Sequence, residues 1–308
     1  MTAIIFDGRQ FAKERGEEII RVVGNFRPSF AKATAGKDIR KAPKLVAILI
    51  GSNPESEMYL KLKEKKAAEL GVIFEFRRFS EDSPQKIIEF IQEKNKDASV
   101  TGIVVELPLP DNLDKYDILD KIEPKKDVDC LTKENLRLLK EGNPRFVPPT
   151  VKAVGEILKL EIGNWKLEAG KRKLVVVGSR GAVGKGILAY LKGQKGQFSF
   201  ARASKDKEGK EGLEIIGIDK ETKDLGIITK TADVLISATG VGHLIKKEMV
   251  KEGATVIDVG IEKKGKLKVV GDVDFEQVKE VASFITPVPG GVGPVTIICL
   301  MENLLQNC

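Results

Sequence analysis

The sequence predicts an α/β protein with two lobes, each built on a parallel sheet. Three observations support this. The chain has 308 residues, which is enough for about two domains. Short β-branched runs alternate with amphipathic stretches, as in βαβ units. A proline-rich turn at 143–150 separates two rounds of this alternation. We therefore place a domain boundary near Pro149, between a first domain over residues 1–149 and a second domain over residues 150–285.

The first round predicts three strands separated by amphipathic helices. The runs are KLVAILIG (44–51), VIFEFRRF (72–79) and SVTGIVVEL (99–107). The second round predicts four strands that are buried on both faces, because each run is almost continuously apolar. These runs are KRKLVVVG (171–178), LEIIGI (213–218), ADVLISATG (232–240) and ATVIDVGI (254–261).

The remaining segments complete the prediction. VKAVGEILKL after Pro149 is helical in pattern, and a second helix, TIICLMENLL, follows the rigid turn ITPVPGGVGP (285–294). Two Lys- and Gly-rich segments, 27–42 and 192–212, interrupt the alternation, and we interpret both as exposed insertions.

Composition excludes several kinds of active site. A single histidine, His243, rules out a two-histidine zinc helix. Cys130, Cys299 and Cys308 are odd in number and widely spaced, so they predict plain thiols and no metal site. The net charge of +7 is dispersed among acids, with few aromatic residues, which favours anionic metabolites over nucleic acid. With neither an apolar run of membrane-spanning length nor a signal-like start, we expect a cytoplasmic protein with no membrane partner.

A glycine-rich turn, VVVGSRGAVGKG (175–186), is the strongest local signal for a ligand. A buried strand opens directly into Gly178, Gly181 and Gly184 and then into a helix. Free backbone N–H groups and a helix N-terminus in this arrangement bind a pyrophosphate. The spacing only approximates the dinucleotide fingerprint, so a tight structural turn is the alternative.

The residue that distinguishes NAD from NADP should end the next strand. Two candidates are open. If that strand is QFSFAR, Arg202 would hold a 2′-phosphate, whereas if it is LEIIGID, Asp219 would face the ribose hydroxyl and repel the phosphate. Arg180 or Lys220 would offset the acid in the second case.

In the first domain, the helix over 56–70 carries Ser56, Tyr59, Lys63, Ala67 and Leu70 on one side. The stripe fits a helix that runs from a core into a cleft, with Tyr59 and Lys63 at the mouth. By itself, however, the pattern favours a snorkelling lysine on a solvated face.

Acids follow two of the predicted elements. Glu106 ends a strand just before Leu107 and Pro108, where ligands approach an open α/β sheet. Asp127 and Asp129 flank an apolar residue and point in opposite directions if extended, so one of them can reach the cleft. Otherwise each is an ordinary solvated loop residue, and His243 is expected in a loop without a catalytic role.

Taken together, the motifs resemble the bifunctional methylenetetrahydrofolate dehydrogenase/cyclohydrolase family. They occur in the family's order over nearly the whole chain outside the two insertions. The matching strings are YLKLK (59–63), ELPLP (106–110), PKKDVD (124–129), VVVG with its glycines (175–184), VIDVGI (256–261), GDVDF (271–275) and TPVPGGVGPVT (286–296).

The resemblance implies two reactions: 5,10-methylenetetrahydrofolate is oxidised to the methenyl cation with NADP, or with NAD, and the cation is hydrolysed to 10-formyltetrahydrofolate. It implies a folate-binding α/β lobe, completed by a C-terminal helix within 286–308, and a Rossmann-type doubly wound sheet for the dinucleotide. The two ligands are expected in the groove between the lobes of each subunit of a homodimer.

The resemblance also implies roles for individual residues. Tyr59 stacks on the folate, Lys63 is the acid/base of the hydrolysis, and Asp129 accepts the pterin N–H bonds. Other residues expected at the folate are Ser56, Leu107, Pro108, Pro289, Gly290 and Gly291. Residues expected at the dinucleotide are Gly178, Ser179, Arg180, Gly184, Asp219, Lys220, Thr239, Gly240 and Ile261.

Three positions depart from the family pattern. The family has glutamine where this chain has Glu106, glycine where it has Cys130, and Arg-Ser where it has Ser179-Arg180. A carboxylate beside Lys63 favours the ammonium form. We therefore expect Glu106 either to retune the pH optimum of the hydrolysis or to take over part of the lysine's work. The alternatives are an enzyme that keeps only the dehydrogenase step and a non-catalytic nucleotide-binding module.

Overall fold

The computed structural model describes six stretches of the chain: residues 3–24, 42–80, 84–164, 172–193, 213–264 and 268–308. The two insertions predicted from the sequence lie outside these stretches, except for Ala42 and for Lys192 and Gly193. Arg202 also lies outside them.

The described elements alternate along the chain as predicted. The strands are β1 (Ile4–Ile5), β2 (Lys44–Ile50), β3 (Ile73–Phe79), β4 (Gly102–Val105), β5 (Arg172–Val177), β6 (Leu213–Ile218), β7 (Val234–Ser237), β8 (Thr255–Asp258), β9 (Glu262–Lys264), β10 (Lys268–Val270) and β11 (Phe284–Ile285). The α-helices are α1 (Gly8–Gly24), α2 (Pro54–Leu70), α3 (Pro84–Lys96), α4 (Lys115–Leu119), α5 (Lys133–Lys140), α6 (Pro149–Asn164), α7 (Ala182–Gly193), α8 (Leu225–Thr229), α9 (Phe275–Val278) and α10 (Val292–Leu305), and a 3₁₀ turn spans Lys247–Met249.

The chain divides into two compact units, which we name by their sheets. The three-stranded unit contains Ala12–Leu139, Asn143–Pro149 and Ile297–Cys308. The six-stranded unit contains Met1–Phe11, Lys140–Gly142 and Thr150–Thr296.

In the three-stranded unit, β2 lies between β3 and β4, and both pairings are parallel. Successive side chains of β2 point to opposite faces of the sheet. Leu45, Ala47 and Leu49 pack into one apolar cluster, and the residues between them pack into another. The sheet is therefore covered on both faces, which explains why the β2 run is almost wholly apolar.

In the six-stranded unit, the parallel strands follow the order β1-β11-β8-β7-β5-β6. Counted from β5, the order is doubly wound and reverses direction between β5 and β7, and ligands bind outside the carboxyl ends of the strands at such a switch point. One detail of the prediction was wrong. LEIIGI was expected to be buried on both faces, but among the described strands β6 lies at the edge of the sheet, and only Ile218 of its six residues is buried.

Across the described stretches, no helix combines the length and the apolar composition needed to cross a membrane. Within the same stretches, no group of three histidine, cysteine or acidic side chains is arranged to hold a metal ion.

Candidate active site

Helix α2 presents the predicted stripe of site residues. Its first turn is capped by Asn53, whose side chain accepts hydrogen bonds from two backbone N–H groups, and it ends at Gly71 in the left-handed conformation. Ser56, Ala67 and Leu70 are buried. Tyr59 and Lys63 lie between them on the same face and are partly buried, which fits the interpretation of a helix that runs from a core into a cleft.

Lys63 forms a buried ion pair with Glu106, the residue that follows β4. Its Nζ donates to Oε1 at 2.7 Å and to Oε2 at 2.9 Å, and the side chains of Lys63 and Glu106 are 13% and 4% exposed. The interpretation of Lys63 as a snorkelling residue on a solvated face was therefore wrong. Removal of either partner would leave an uncompensated charge in this nearly dry site.

The loop after Glu106 is attached to the start of α2. The Ser56 hydroxyl donates to the carbonyl oxygen of Leu107 at 3.0 Å, and the Leu107–Pro108 peptide is cis. Leu107 and Pro108 are exposed. Burial raises the pKa of the Tyr59 phenol, and the charge of Glu55 adds to the shift. Tyr59 is therefore a neutral ring with a partly accessible face, which suits stacking.

Asp127, the first aspartate of the KKDVD segment, is not a solvated loop residue. It is 1% exposed. Its carboxylate accepts hydrogen bonds from the backbone N–H groups of Leu131 and Thr132, from the Thr132 hydroxyl and from the Asn135 amide. Asp127 therefore fixes the turn that leads into α5.

Asp129 lies within the electrostatic reach of the Lys63 and Glu106 pair. Desolvation raises the pKa of Asp129 to about 6, the charge of Lys63 opposes the shift, and the charges of Glu106 and Asp127 add to it. At neutral pH the group is mainly a carboxylate, which can accept N–H bonds from a ligand. Lys63, Glu106 and Asp129 thus lie close together on the three-stranded unit.

Cys130 explains one departure from the family pattern. Its φ is 58°, in the left-handed region that favours glycine. The Sγ donates a hydrogen bond to the carbonyl oxygen of Phe146 at 3.1 Å, and burial raises the pKa of the thiol above its ordinary value. The backbone therefore keeps a conformation suited to glycine, while the side chain is held as a neutral thiol. Cys130, Cys299 and Cys308 are all free, which confirms the prediction of plain thiols.

Two residues that sequence reasoning missed hold the Asp129 segment in place. The Asn303 amide, on α10, donates to the carbonyl oxygens of Val128 and Val147 at 2.9 and 2.8 Å. Lys126 Nζ donates to three backbone carbonyls at and just after the end of α3, those of residues 94, 95 and 97. A buried asparagine in the mostly apolar helix α10 was a signal that could have identified the first of these contacts.

The glycine turn after β5 forms a cradle in the six-stranded unit. Gly178 has a φ of 88°, and a methyl group there would overlap the carbonyl oxygen of Ala238. A methyl group on Gly184 would overlap the carbonyl oxygen of Gly178. Helix α7 begins at Ala182, immediately after the turn. The glycines leave the backbone of the turn uncovered, and the helix N-terminus offers free N–H groups. Both features fit a pyrophosphate group, so the turn suits a dinucleotide.

Among the described strands, β6 pairs with β5 and follows the glycine turn, and Asp219 comes directly after it. The competing segment QFSFAR, with Arg202, lies outside the described residues. The Asp219 carboxylate accepts hydrogen bonds from the Ser179 hydroxyl at 3.2 Å and from the Arg180 backbone N–H at 3.0 Å. Arg180 Nε also lies 3.0 Å from Asp219 Oδ2, with its side chain 84% exposed. Lys220 is exposed and lies 4.0 Å from Glu221.

The remaining predicted dinucleotide residues follow β7 and β8. Thr239 donates its backbone N–H to Asp272, and Gly240 has a φ of 69°. Ile261 is 39% exposed, just after β8. These turns lie at the carboxyl ends of β7 and β8, the sheet edge where the glycine turn also lies.

Pro289, Gly290 and Gly291 precede α10 and belong to the six-stranded unit, whereas Tyr59 and Lys63 belong to the three-stranded unit. The Val288–Pro289 peptide is cis and Gly290 has a φ of 112°. A methyl group on Gly8 would overlap the carbonyl oxygen of Gly291, so the start of α1 packs closely against this turn.

His243 lies in a loop of the six-stranded unit. Its Nδ1 is 3.9 Å from the Asp274 carboxylate, and its φ of 57° is in the left-handed region. The expectation of a loop residue is confirmed.

Comparison with known families gives two matches that together cover most of the chain. The catalytic domain of tetrahydrofolate dehydrogenase/cyclohydrolase matches residues 6–129. The NAD(P)-binding domain of the same family matches residues 148–308.

Individual proteins agree with these matches. The chain is 38% identical, over 307 residues, to the bifunctional protein FolD of Aquifex aeolicus, covering 99% of this chain and 95% of that protein. A crystal structure of bifunctional FolD from Campylobacter jejuni is 34% identical, with a TM-score of 0.82 over 99% of this chain and 98% of that one. FolD of Trypanosoma brucei, solved with NADP cofactor and an inhibitor, is 31% identical, with a TM-score of 0.84 over 100% of this chain and 97% of that one.

Proposed function

The chain belongs to the tetrahydrofolate dehydrogenase/cyclohydrolase family, and on that premise we propose how its residues divide the work of the two activities. It is a bifunctional enzyme that oxidises 5,10-methylenetetrahydrofolate and hydrolyses the methenyl product to 10-formyltetrahydrofolate. Its cofactor is NADP, with NAD as the alternative. The family matches and the similarity to bifunctional relatives do not favour a monofunctional dehydrogenase or a non-catalytic binding module.

The buried Lys63 and Glu106 pair carries the proposal for the hydrolysis. Adding water to the methenyl carbon forms a C–O bond and requires a base for the water proton. Breaking the bond to N5 requires an acid that supplies N5 with a proton. The Glu106 carboxylate accepts the first proton and the Lys63 ammonium donates the second. The hydroxyl proton of the adduct leaves to solvent, which gives the overall release of one proton.

The hydrogen bonds between the two side chains complete this cycle. After the reaction the pair consists of a neutral amine and a carboxylic acid. Because Lys63 Nζ lies 2.7 Å from Glu106 Oε1, one proton transfer restores the ammonium and the carboxylate. In this scheme Glu106 is a catalytic partner of the lysine, and so a glutamate at a position where the family has glutamine remains compatible with hydrolysis.

Other residues of the three-stranded unit hold the folate. We assign Asp129 to the pterin, because a desolvated carboxylate that is mainly ionised at pH 7 is a strong acceptor for N–H groups. Tyr59 provides the stacking surface, and Ser56 fixes the exposed Leu107–Pro108 segment against α2. Pro289, Gly290 and Gly291 remain proposed folate contacts.

In the six-stranded unit, we assign the pyrophosphate to the Gly178–Gly184 turn and the N-terminus of α7. When bound, the nicotinamide dinucleotide accepts the hydride that leaves the methylene carbon. Arg180 and Lys220 are assigned to the 2′-phosphate. The ion pair with Arg180 neutralises Asp219 and weakens the repulsion that this acid would exert on the phosphate. Thr239, Gly240 and Ile261 are assigned to the same ligand.

Kinetics of the purified protein test the proposed function. With 5,10-methylenetetrahydrofolate and NADP, we expect NADPH to form and the methenyl product to decay faster than it does without protein. Formation of NADPH with methenyl decay at the uncatalysed rate would leave only the dehydrogenase. If no NADPH formed with either NADP or NAD, the proposal would be wrong.

We propose a homodimer and a cytoplasmic location. Strand β3 is at the edge of its sheet and leaves Ile73 47% and Phe76 42% exposed. An exposed apolar strand edge is commonly covered by a partner, and a second copy of this strand would suit it. The substrates are small molecules, so no nucleic acid or membrane partner is required. Light scattering of the native protein should give twice the mass of the chain. A Phe76→Lys variant should give a mass closer to that of a single chain.

A further inference from the structure

Two buried aspartates lie at the carboxyl ends of neighbouring strands in the six-stranded unit. Asp258 is the last residue of β8 and is 3% exposed, and Asp272, in the GDVDF segment, is 0% exposed. Among the residues that the structure describes, neither forms a salt bridge. Burying a carboxylate without a cation is costly, so the pair needs an explanation.

Asp272 contacts the segments that follow both β7 and β8. Its Oδ2 accepts a hydrogen bond from the Ser237 hydroxyl at 2.7 Å and another from the Thr239 backbone N–H at 2.6 Å. Its Oδ1 is buried without a hydrogen-bond partner in the described part of the chain. This oxygen faces Gly260, since a methyl group on Gly260 would overlap it. One carboxylate therefore lies against two turns.

Asp258 connects the turn after β8 with the GDVDF segment that carries Asp272. Its Oδ1 accepts hydrogen bonds from the backbone N–H groups of Gly260 and Asp272, at 3.0 and 3.1 Å, and its Oδ2 accepts one from Val273 at 2.9 Å. A methyl group on Gly271 would overlap Oδ2. Burial raises the pKa of Asp258 to about 7, opposed by these backbone hydrogen bonds and increased by the charge of Asp272. The two carboxylates are thus packed against glycines, where a side chain would overlap them.

We propose that Asp272 is a positioning residue for dinucleotide binding, which sets the turn of Thr239 and Gly240 against the turn of Gly260 and Ile261. This inference depends on the proposed function, which places the dinucleotide at these two turns. If stability alone mattered, apolar residues of similar shape would serve the core without an unpaired oxygen. A buried polar group without a full set of hydrogen bonds is expected where a site has to be held in one geometry.

Equilibrium binding of NADP to the whole protein tests the inference, with folate hydrolysis as an internal control. Asp272→Ala removes the acceptor of both hydrogen bonds and should weaken NADP binding about tenfold or more. Asp272→Asn retains a carbonyl acceptor and should lose less, and Ser237→Ala, which deletes one donor, should lose only a few-fold. Methenyl hydrolysis, whose assigned acid and base lie on the three-stranded unit, should stay within about twofold of the parent.

Asp233→Asn provides a matched control. Asp233 is a largely buried acid of the same unit, but it precedes β7, at the opposite end of the strand, and pairs with Lys251. This variant should be destabilised without a specific loss of NADP affinity. Thermal unfolding of all variants separates a loss of fold from a loss of affinity.

A reciprocal rescue makes the test specific to the contact between Asp272 and Gly260. Gly260→Ala alone should weaken NADP binding, because the new methyl group displaces the carboxylate. In the Asp272→Ala background the same methyl group has space, so its effect should shrink. The inference would be overturned if the effects of Gly260→Ala and Asp272→Ala on NADP affinity were additive. It would also be overturned if Ser237→Ala and Asp272→Asn bound NADP with the parental affinity. If the parent itself bound no dinucleotide, the proposed function would fail instead.

Discussion

The ammonium group of Lys63 donates hydrogen bonds to both carboxylate oxygens of Glu106, across 2.7 and 2.9 Å, in a site where Glu106 is 4% exposed. A glutamine there would offer one oxygen acceptor and no charge. The carboxylate therefore places a second charged group beside the lysine, which the proposed scheme uses as the base. This pair distinguishes the proposed hydrolytic site of the chain from the family pattern.

Replacing Glu106 by glutamine should change the pH dependence of hydrolysis. Glutamine cannot accept the proton of the attacking water, so the pH profile of hydrolysis should lose its parental shape and the rate should fall by about 100-fold or more. The dehydrogenase profile should move much less, because hydride transfer needs no protein acid. Glu64→Gln, on the exposed face of α2, is the control. Superimposable hydrolysis profiles for parent and Glu106→Gln would show that the carboxylate has no part in the proton transfers.

Folate affinity should weaken in acid because of Asp129. Desolvation raises the pKa of this group to about 6, against the opposing charge of Lys63. Below that pH the carboxyl group is protonated and accepts pterin N–H bonds poorly. The KM for the folate should therefore rise by up to about tenfold per pH unit below 6. Measurement of KM from pH 5 to pH 8 checks this, and Asp129→Asn should show a higher KM that is flat over the same range. A flat parental KM would contradict the assignment.

The same shift has a consequence for stability. Because the pKa of Asp129 is higher in the folded chain than in the unfolded one, the folded state binds its proton more tightly. The favourable contribution is complete below the unfolded pKa and is lost as the pH rises through about 6. Relative to the parent, Asp129→Asn should therefore gain stability as the pH rises from about 4 to about 7 in urea titrations.

Arg180 should determine the preference for NADP. Its guanidinium neutralises Asp219 and is exposed enough to meet a phosphate. Arg180→Ala should raise the KM for NADP by about tenfold, the effect of one charged hydrogen bond, and leave the KM for NAD within about twofold. Lys223→Ala, which removes an exposed lysine nearby, controls for net charge. Equal changes in both KM values would show that Arg180 does not recognise the 2′-phosphate.

Cys130 should tolerate glycine better than alanine. The backbone φ of 58° at this position is energetically unfavourable for any residue that has a side chain, whereas glycine adopts it freely. Both substitutions delete the hydrogen bond from Sγ to Phe146. Cys130→Gly should therefore be more stable than Cys130→Ala by about 1 kcal/mol in urea titrations. An alanine variant as stable as the glycine variant would mean that the turn relaxes out of the left-handed conformation.

Much of the fold could be predicted from the sequence because the pattern of apolar residues follows the sheets. The central strand β2 packs alternate residues into two cores, so its apolar run identified it directly. Strand β6 shows where the pattern misled. LEIIGI is as apolar as a central strand, but its position at the edge depends on the order of strands, which a local sequence does not encode.

The site was predicted unevenly for a similar reason. The stripe on α2 was identified from helical spacing, but the burial of Lys63 depends on Glu106, 43 residues further along the chain. Asp272 was quoted within a motif and given no role, since its partners Ser237 and Thr239 lie on another strand's turn. Long-range contacts of this kind decide whether a charged residue is solvated or functional.

A Lys63→Met variant, with NADPH formation and methenyl decay followed in the same sample, tests whether Lys63 acts in the hydrolysis alone. We expect NADPH to form within a few-fold of the parental rate, while methenyl hydrolysis falls by at least about 100-fold and the methenyl product accumulates. Lys61→Met, on the exposed face of the same helix, should behave as the parent in both steps. Hydrolysis by Lys63→Met at the parental rate would contradict the assignment of Lys63 and Glu106 as the acid and base.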